Sequence, residues 1–218
     1  MIKTAFKSIL TFILFTVATG CFGQSKVELG VRVILQRTTL RYTSGVGAAA
    51  DFLKINAPYY SRWRTALGVG IVYNPLKKVR LGADLLYSLQ GGGYEERKNN
   101  LNYIKLPLWI GYNASPNRKL IFSVQSGIEL SYLVRAKIKY ATGEKADIRQ
   151  YVNKISLGIP FAMGVKFKVS SSCYLTTQVY LYTDVNTLSK NNKTFGAYNY
   201  IYPGLRIAID RNLSNFKK

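Results

Sequence analysis

The sequence predicts an all-β chain: an eight-stranded antiparallel up-and-down transmembrane β-barrel. Three observations carry that reading. Eight segments of about ten residues alternate apolar with polar side chains, the pattern of a strand wet on one face and in lipid on the other. The links between them run alternately long and short. Beyond the N-terminus no apolar run approaches the roughly 20 residues that a membrane-spanning helix needs, so a span has to be built from strands.

Composition narrows the chemistry before any element is placed. The chain has 218 residues, enough for one domain, with 31 Lys and Arg against 10 Asp and Glu and a net charge of +21. There is no His, which removes Ser-His and Cys-His catalysis and His-ligated zinc together. Seventeen Tyr, and 48% apolar against 19% charged residues, belong to a folded chain rather than a disordered basic tail.

Residues 1–23 stand apart from the barrel. Lys3 and Lys7 precede the short apolar stretch Ile9 to Ala18, and small residues lead to Gly23, so a secretory signal is expected, cleaved before Gln24. Ala18-Thr19-Gly20-Cys21 also fits lipoprotein processing with Cys21 lipidated, and the sequence leaves both routes open. Residues 24–218 then form the single barrel domain. Ordinary cleavage leaves Cys173 alone, which allows no internal disulfide and, without His, makes a poor metal site.

The strands follow in order. Val27, Leu29, Val31, Val33 and Leu35 oppose Glu28, Gly30, Arg32 and Gln36; Trp63 to Tyr73 repeat the arrangement opposite Arg62, Arg64 and Gly68. Val79, Leu81, Leu85 and Tyr87 oppose Arg80, Gly82 and Asp84, and Ile104, Leu106, Leu108 and Ile110 oppose Tyr103, Lys105 and Trp109. The fifth segment sets Phe122, Val124, Ile128 and Leu130 against Gln125, Gly127 and Glu129, and the sixth sets Ile155 to Phe167 against Ser156, Gly158 and Lys166. The seventh opposes Leu175, Val179 and Leu181 to Gln178, Tyr180, Tyr182 and Asp184; the eighth opposes Leu205, Ile207 and Ile209 to Tyr200, Tyr202, Arg206 and Asp210. Pro107, Pro160 and Pro203 interrupt three of these segments, and bulges are the expected remedy.

Short links fall at 74–78, 114–119 and 169–172, long ones at 37–61, 91–101, 135–153 and 186–197. Segregated lengths are expected of a barrel in the cell outer membrane with its long loops outside. A charge on the lipid face costs up to about 2–4 kcal/mol at the midplane, so the charged face is the lumen. That face holds Glu28, Arg32, Arg80, Asp84, Lys105, Glu129, Lys166, Asp184, Arg206 and Asp210, a candidate charge network paired across strands. An eight-stranded lumen is just wide enough for side chains to fill, so a plugged interior is expected, with Tyr180, Tyr182, Tyr200 and Tyr202 sharing the space.

The segment Asn102-Tyr103-Ile104-Lys105-Leu106-Pro107-Leu108 carries a family signal. With Ser123-Val124-Gln125-Ser126-Gly127, Leu130-Ser131-Tyr132-Leu133, the glycine-spaced run Gly158 to Lys168 and the export site Gly23-Gln24, it resembles the PorT-like outer-membrane β-barrel family of Bacteroidetes-type bacteria. The resemblance implies an eight-stranded outer-membrane barrel, tolerates Pro107 and implies no catalytic set. The namesake takes part in a secretion system, one form that an interaction role takes.

No catalytic, cofactor or metal residues are assigned from the sequence. No long link carries more than three net positive charges, so the basic balance forms no nucleic-acid stripe. Outer-membrane lipid and lipopolysaccharide are the expected neighbours, with an envelope protein met through loops 37–61 and 135–153. The expected role is non-enzymatic, structural or interaction-mediating. The alternative is a small outer-membrane enzyme or lumen-binding barrel acting on lipid or a small ligand, with Asp84, Glu129 or Asp184 as base.

Overall fold

The computed structural model describes residues 27–44, 59–94, 97–186 and 195–213; the expected signal, Cys21 and the extreme C-terminus lie outside them. Eight long strands build a wall: β1 (Val27–Ser44), β3 (Arg62–Tyr73), β4 (Val79–Gln90), β6 (Arg97–Asn113), β7 (Leu120–Lys139), β9 (Ile155–Lys168), β10 (Cys173–Asp184) and β11 (Phe195–Asn212). Three short strands, β2 (Tyr59–Tyr60), β5 (Gly93–Tyr94) and β8 (Lys145–Asp147), add to it at the long-link end. A 3-10 turn at Arg149–Tyr151 follows β8.

Each long strand pairs antiparallel with its sequence neighbours, and β1 pairs with β11, so the meander closes on itself. Closure matters physically because lipid offers no partner for an unpaired N–H or C=O. The fold is the eight-stranded antiparallel barrel that the alternation predicts.

The two faces differ as sharply as the pattern implies. Leu29, Val31, Val69, Leu85, Ile110, Ile128 and Ile159 stand outward and exposed. Trp63, Tyr87 and Tyr132 flank this apolar belt toward the long links, and Tyr73, Tyr112 and Phe167 flank it toward the short turns. These are the places where amphipathic rings meet a membrane interface.

Several strands run past their expected ends. β1 continues to Ser44, β6 begins at Arg97, β7 reaches Lys139 and β11 begins at Phe195. The expected long link at 91–101 therefore shrinks to 91–96 and is itself interrupted by β5. The cause is simple: beyond the hydrocarbon, side chains of either kind are tolerated on the outer face. The two-residue period fades there while the hydrogen-bond ladder carries on.

The prolines are handled in two ways. Pro203 sits at a bulge, where the register of β11 shifts against both β1 and β10. Pro107 and Pro160 cause no shift; the β4–β6 and β7–β9 ladders skip rungs beside them and resume in the same register. Bulging is thus the remedy for one proline of the three. The same shift pairs Ile201, rather than Tyr202, with Thr38 and Tyr182. The simple parity that assigned Tyr200 and Tyr202 to the lumen does not continue through it, and their side chains lie outside the described ones.

Candidate functional site

Alternate residues of the eight long strands project into one enclosed lumen, and the ten ionisable residues of the inward face meet there. Each is at most 5% exposed. Burying an ion costs several kcal/mol unless a partner and further hydrogen bonds compensate, so their connections decide whether the arrangement holds.

Seven of them form one continuous chain. Arg32 Nε donates to Asp84 Oδ1 at 2.9 Å, and Arg32 Nη1 lies 2.6 Å from Asp210 Oδ1. Arg206 Nη2 donates to Asp84 Oδ2 at 2.9 Å, and Trp109 Nε1 donates to the same oxygen at 3.2 Å. Arg80 Nη2 reaches Glu28 at 3.4 Å and Asp210 at 3.7 Å, and Lys166 Nζ donates to both Glu28 oxygens at 2.9 Å. Four cations therefore meet three carboxylates. Arg206 Nη1 also donates to Gln178 Oε1 at 2.6 Å, and Gln178 Nε2 donates onward to Ser123 Oγ at 3.1 Å.

The other three form a second group. Glu129 accepts from Lys105 Nζ, from Ser131 Oγ at 3.2 Å and from Tyr180 OH at 3.2 Å. The Lys105 ammonium also lies 3.7 Å from the Tyr182 ring centre, a cation–π contact. Asp184 accepts from Ser156 Oγ at 2.6 Å and from Tyr182 OH.

Apolar layers alternate with these groups. Ile34, Ala66, Leu86, Ala162, Tyr180 and Tyr182 form one buried cluster. Toward the long links, Leu101, Tyr103, Leu133 and Ala136 form another, with Ile148 and Val152 of the link after β8 packed against it. The free space bounded by Asp84, Leu86, Trp109, Tyr180 and Arg206 is about 10 Å³, room for about one water. Glycines make the packing feasible: a Cβ at Gly82 would collide with the Trp109 ring, and one at Gly158 with the Tyr182 ring.

Sequence reasoning missed the apolar layers. Ile34 and Leu86 share the inward parity of Arg32 and Asp84, and that parity was the available signal. Trp109, Ser131, Ser156 and Gln178 likewise stand at inward positions, but their service as partners to the charges depends on the stagger between strands. Among the described residues, no group of three His, Cys, Asp or Glu side chains could hold a metal ion.

Residues 22–190 match the family model described as outer membrane protein beta-barrel domain, and the chain belongs to that family. The protein is accordingly one of the outer membrane. Among solved structures it is similar to Neisserial surface protein A (TM-score 0.55, 10% identity), covering 87% of this chain and 98% of that one. It is also similar to the outer membrane protein OprG from Pseudomonas aeruginosa (TM-score 0.52, 10% identity), covering 86% and 95%. At such identities the likeness is one of fold. Among curated proteins none matches.

Proposed function

We propose that this outer membrane barrel is non-enzymatic and works as a structural or interaction protein, its long links facing outside the cell and its lumen shut. The observation that supports this best is the lumen itself. Four of its five carboxylates accept hydrogen bonds from neighbouring side chains, Asp210 is held by ion contacts to Arg32 and Arg80, and the Asp84 region has space for about one water. A substrate or a file of hydrated ions finds no room there. Ile148 and Val152 packed into the mouth further favour a closed long-link end.

Interaction then falls to the outer surfaces: lipid and lipopolysaccharide around the wall, and an envelope protein through residues 37–61 and 135–153. The PorT-like character of Asn102 to Leu108 favours a partner within a secretion apparatus. Planar-bilayer recording from the purified protein tests the reading. No steady conductance is expected; a stable, ion-selective current altered by Asp84→Asn or Glu129→Gln would make the lumen a working pore and overturn it.

A further inference from the structure

A bulge in β7 turns a basic row to the outside of the wall. Tyr103 pairs with Leu133, both buried, but the next rung pairs Asn102 with Arg135, leaving Val134 as an extra residue. Val134 and Arg135 are both exposed and Ala136 is buried. Had β7 run on without the bulge, with Val134 taking a rung of its own, the parity of Glu129, Ser131 and Leu133 would send Arg135, Lys137 and Lys139 into the lumen. With the bulge, they join Arg64 and Lys145 in lining a cleft of about 290 Å³ that no carboxylate lines among the described residues.

The cations there are crowded, and no carboxylate among the described residues is within ion-pair distance of them. The ladder places Lys139 directly between Lys98 of β6 and Lys145 of β8. Like charges directly opposite in a sheet are destabilising. Asp147 stands opposite Lys137, but its carboxylate is engaged by Arg149 at 2.8 Å. Arg62 and Arg64 both donate to the single oxygen Asn100 Oδ1, and Arg64 Nε is buried without a hydrogen-bond partner among the described residues.

The cleft also adjoins the apolar belt. Asn102 Nδ2 donates to Tyr87 OH at 2.6 Å. Tyr87, Ile104 and Tyr132 stand in one exposed row across β4, β6 and β7, just short of it. Cations above an interfacial aromatic row are placed for a ligand with anionic head and apolar tail.

We propose that this cleft binds the phosphate groups of a phosphorylated glycolipid of the outer leaflet, whose acyl chains lie along the Tyr87, Ile104 and Tyr132 face. Phosphate accepts several charge-assisted hydrogen bonds at once, from guanidinium and ammonium alike. A free anion would use the cations but not the apolar row. The inference rests on the reading that the long-link end faces outward.

The test uses the full barrel in detergent with bisphosphorylated lipid A, its dephosphorylated form, phosphatidylethanolamine and inorganic phosphate as probes. Binding is read by native mass spectrometry and titration. Bisphosphorylated lipid A is expected to bind best, more weakly as salt rises. The variant Arg135→Gln/Lys137→Gln/Lys139→Gln is expected to bind it about a hundredfold more weakly, from the contribution of each basic residue near an anionic surface. Lys137→Arg/Lys139→Arg should retain binding, which separates lost charge from lost fold. Equal binding by the triple variant, or no preference for the phosphorylated lipid, overturns the proposal. So does inorganic phosphate that binds as well as the lipid, which would make the cleft a free-anion site. Orientation is read separately, with an impermeant maleimide on intact cells carrying Lys145→Cys in a Cys173→Ser background. Labelling from outside is expected. Labelling only after the envelope is opened overturns the outward orientation and the outer-leaflet source, whatever the detergent result.

Discussion

Asp84 meets Arg32, Arg206 and the Trp109 indole, and Gly70 beside it carries no side chain because a Cβ there would collide with its Oδ1. An ion pair buried so deeply adds little over a well-packed apolar substitute, but removing one member strands the others. Asp84→Asn is therefore expected to lower stability by about 3–5 kcal/mol, measured by denaturant unfolding in detergent. Trp109 fluorescence should shift in the folded variant while exposed Trp63 contributes a constant background. The inward position of Asp84 is legible in its strand, since odd and even positions there differ so plainly in polarity. Which cation reaches it is not, because Arg32 and Arg206 lie on β1 and β11 and the stagger among three strands decides their meeting.

At the scale of the element, one inserted residue governs the upper part of β7. Deleting Val134 removes the extra residue, so β7 meets β6 without a shift and Arg135, Lys137 and Lys139 keep the outer face they already hold. That variant is expected to form the compact, heat-modifiable species on unheated gels, as is Val134→Ala, which keeps the register. A deletion variant that fails to fold, or one in which those basic residues become buried, would refute this account of the bulge. Sequence period alone could not reveal it: Val134 and Arg135 read as an ordinary apolar–polar pair until the partner strand supplies the count. The bulge at Pro203 is similar, a shift that proline permits but does not dictate, since Pro107 and Pro160 keep register. Strand ends were hidden for a different reason, the loss of alternation outside the apolar belt. The number, direction and inward face of the long strands, by contrast, follow from the requirement that lipid see no charge.

For the whole molecule, the described residues put five buried carboxylates and five buried cations in the lumen, so the excess of Lys and Arg is not held there among them. Surface electrostatics of this sign favour anionic neighbours. If the long links face outward, protease added to intact cells should cut within residues 37–61 or 135–153 and spare the Lys77-Lys78 turn. Mass spectrometry of the fragments checks this, and cutting at the turn alone would invert the orientation.

The reach of the ion pairs also bears on how the barrel is made. Glu28 of β1 holds Lys166 of β9, and Arg206 of β11 holds Asp84 of β4. Neither link can exist while the sheet is still an open ribbon, however many hairpins have formed. Until the first and last strands zip together, these carboxylates and ammonium groups stand naked in a half-rolled sheet. Completion is then cooperative: the seam and the interior electrostatics arrive together, and a stalled intermediate has neither. Slow sealing, rather than weak individual hairpins, would leave the chain open to envelope proteases, so the rate at which β11 finds β1 sets how much of it survives.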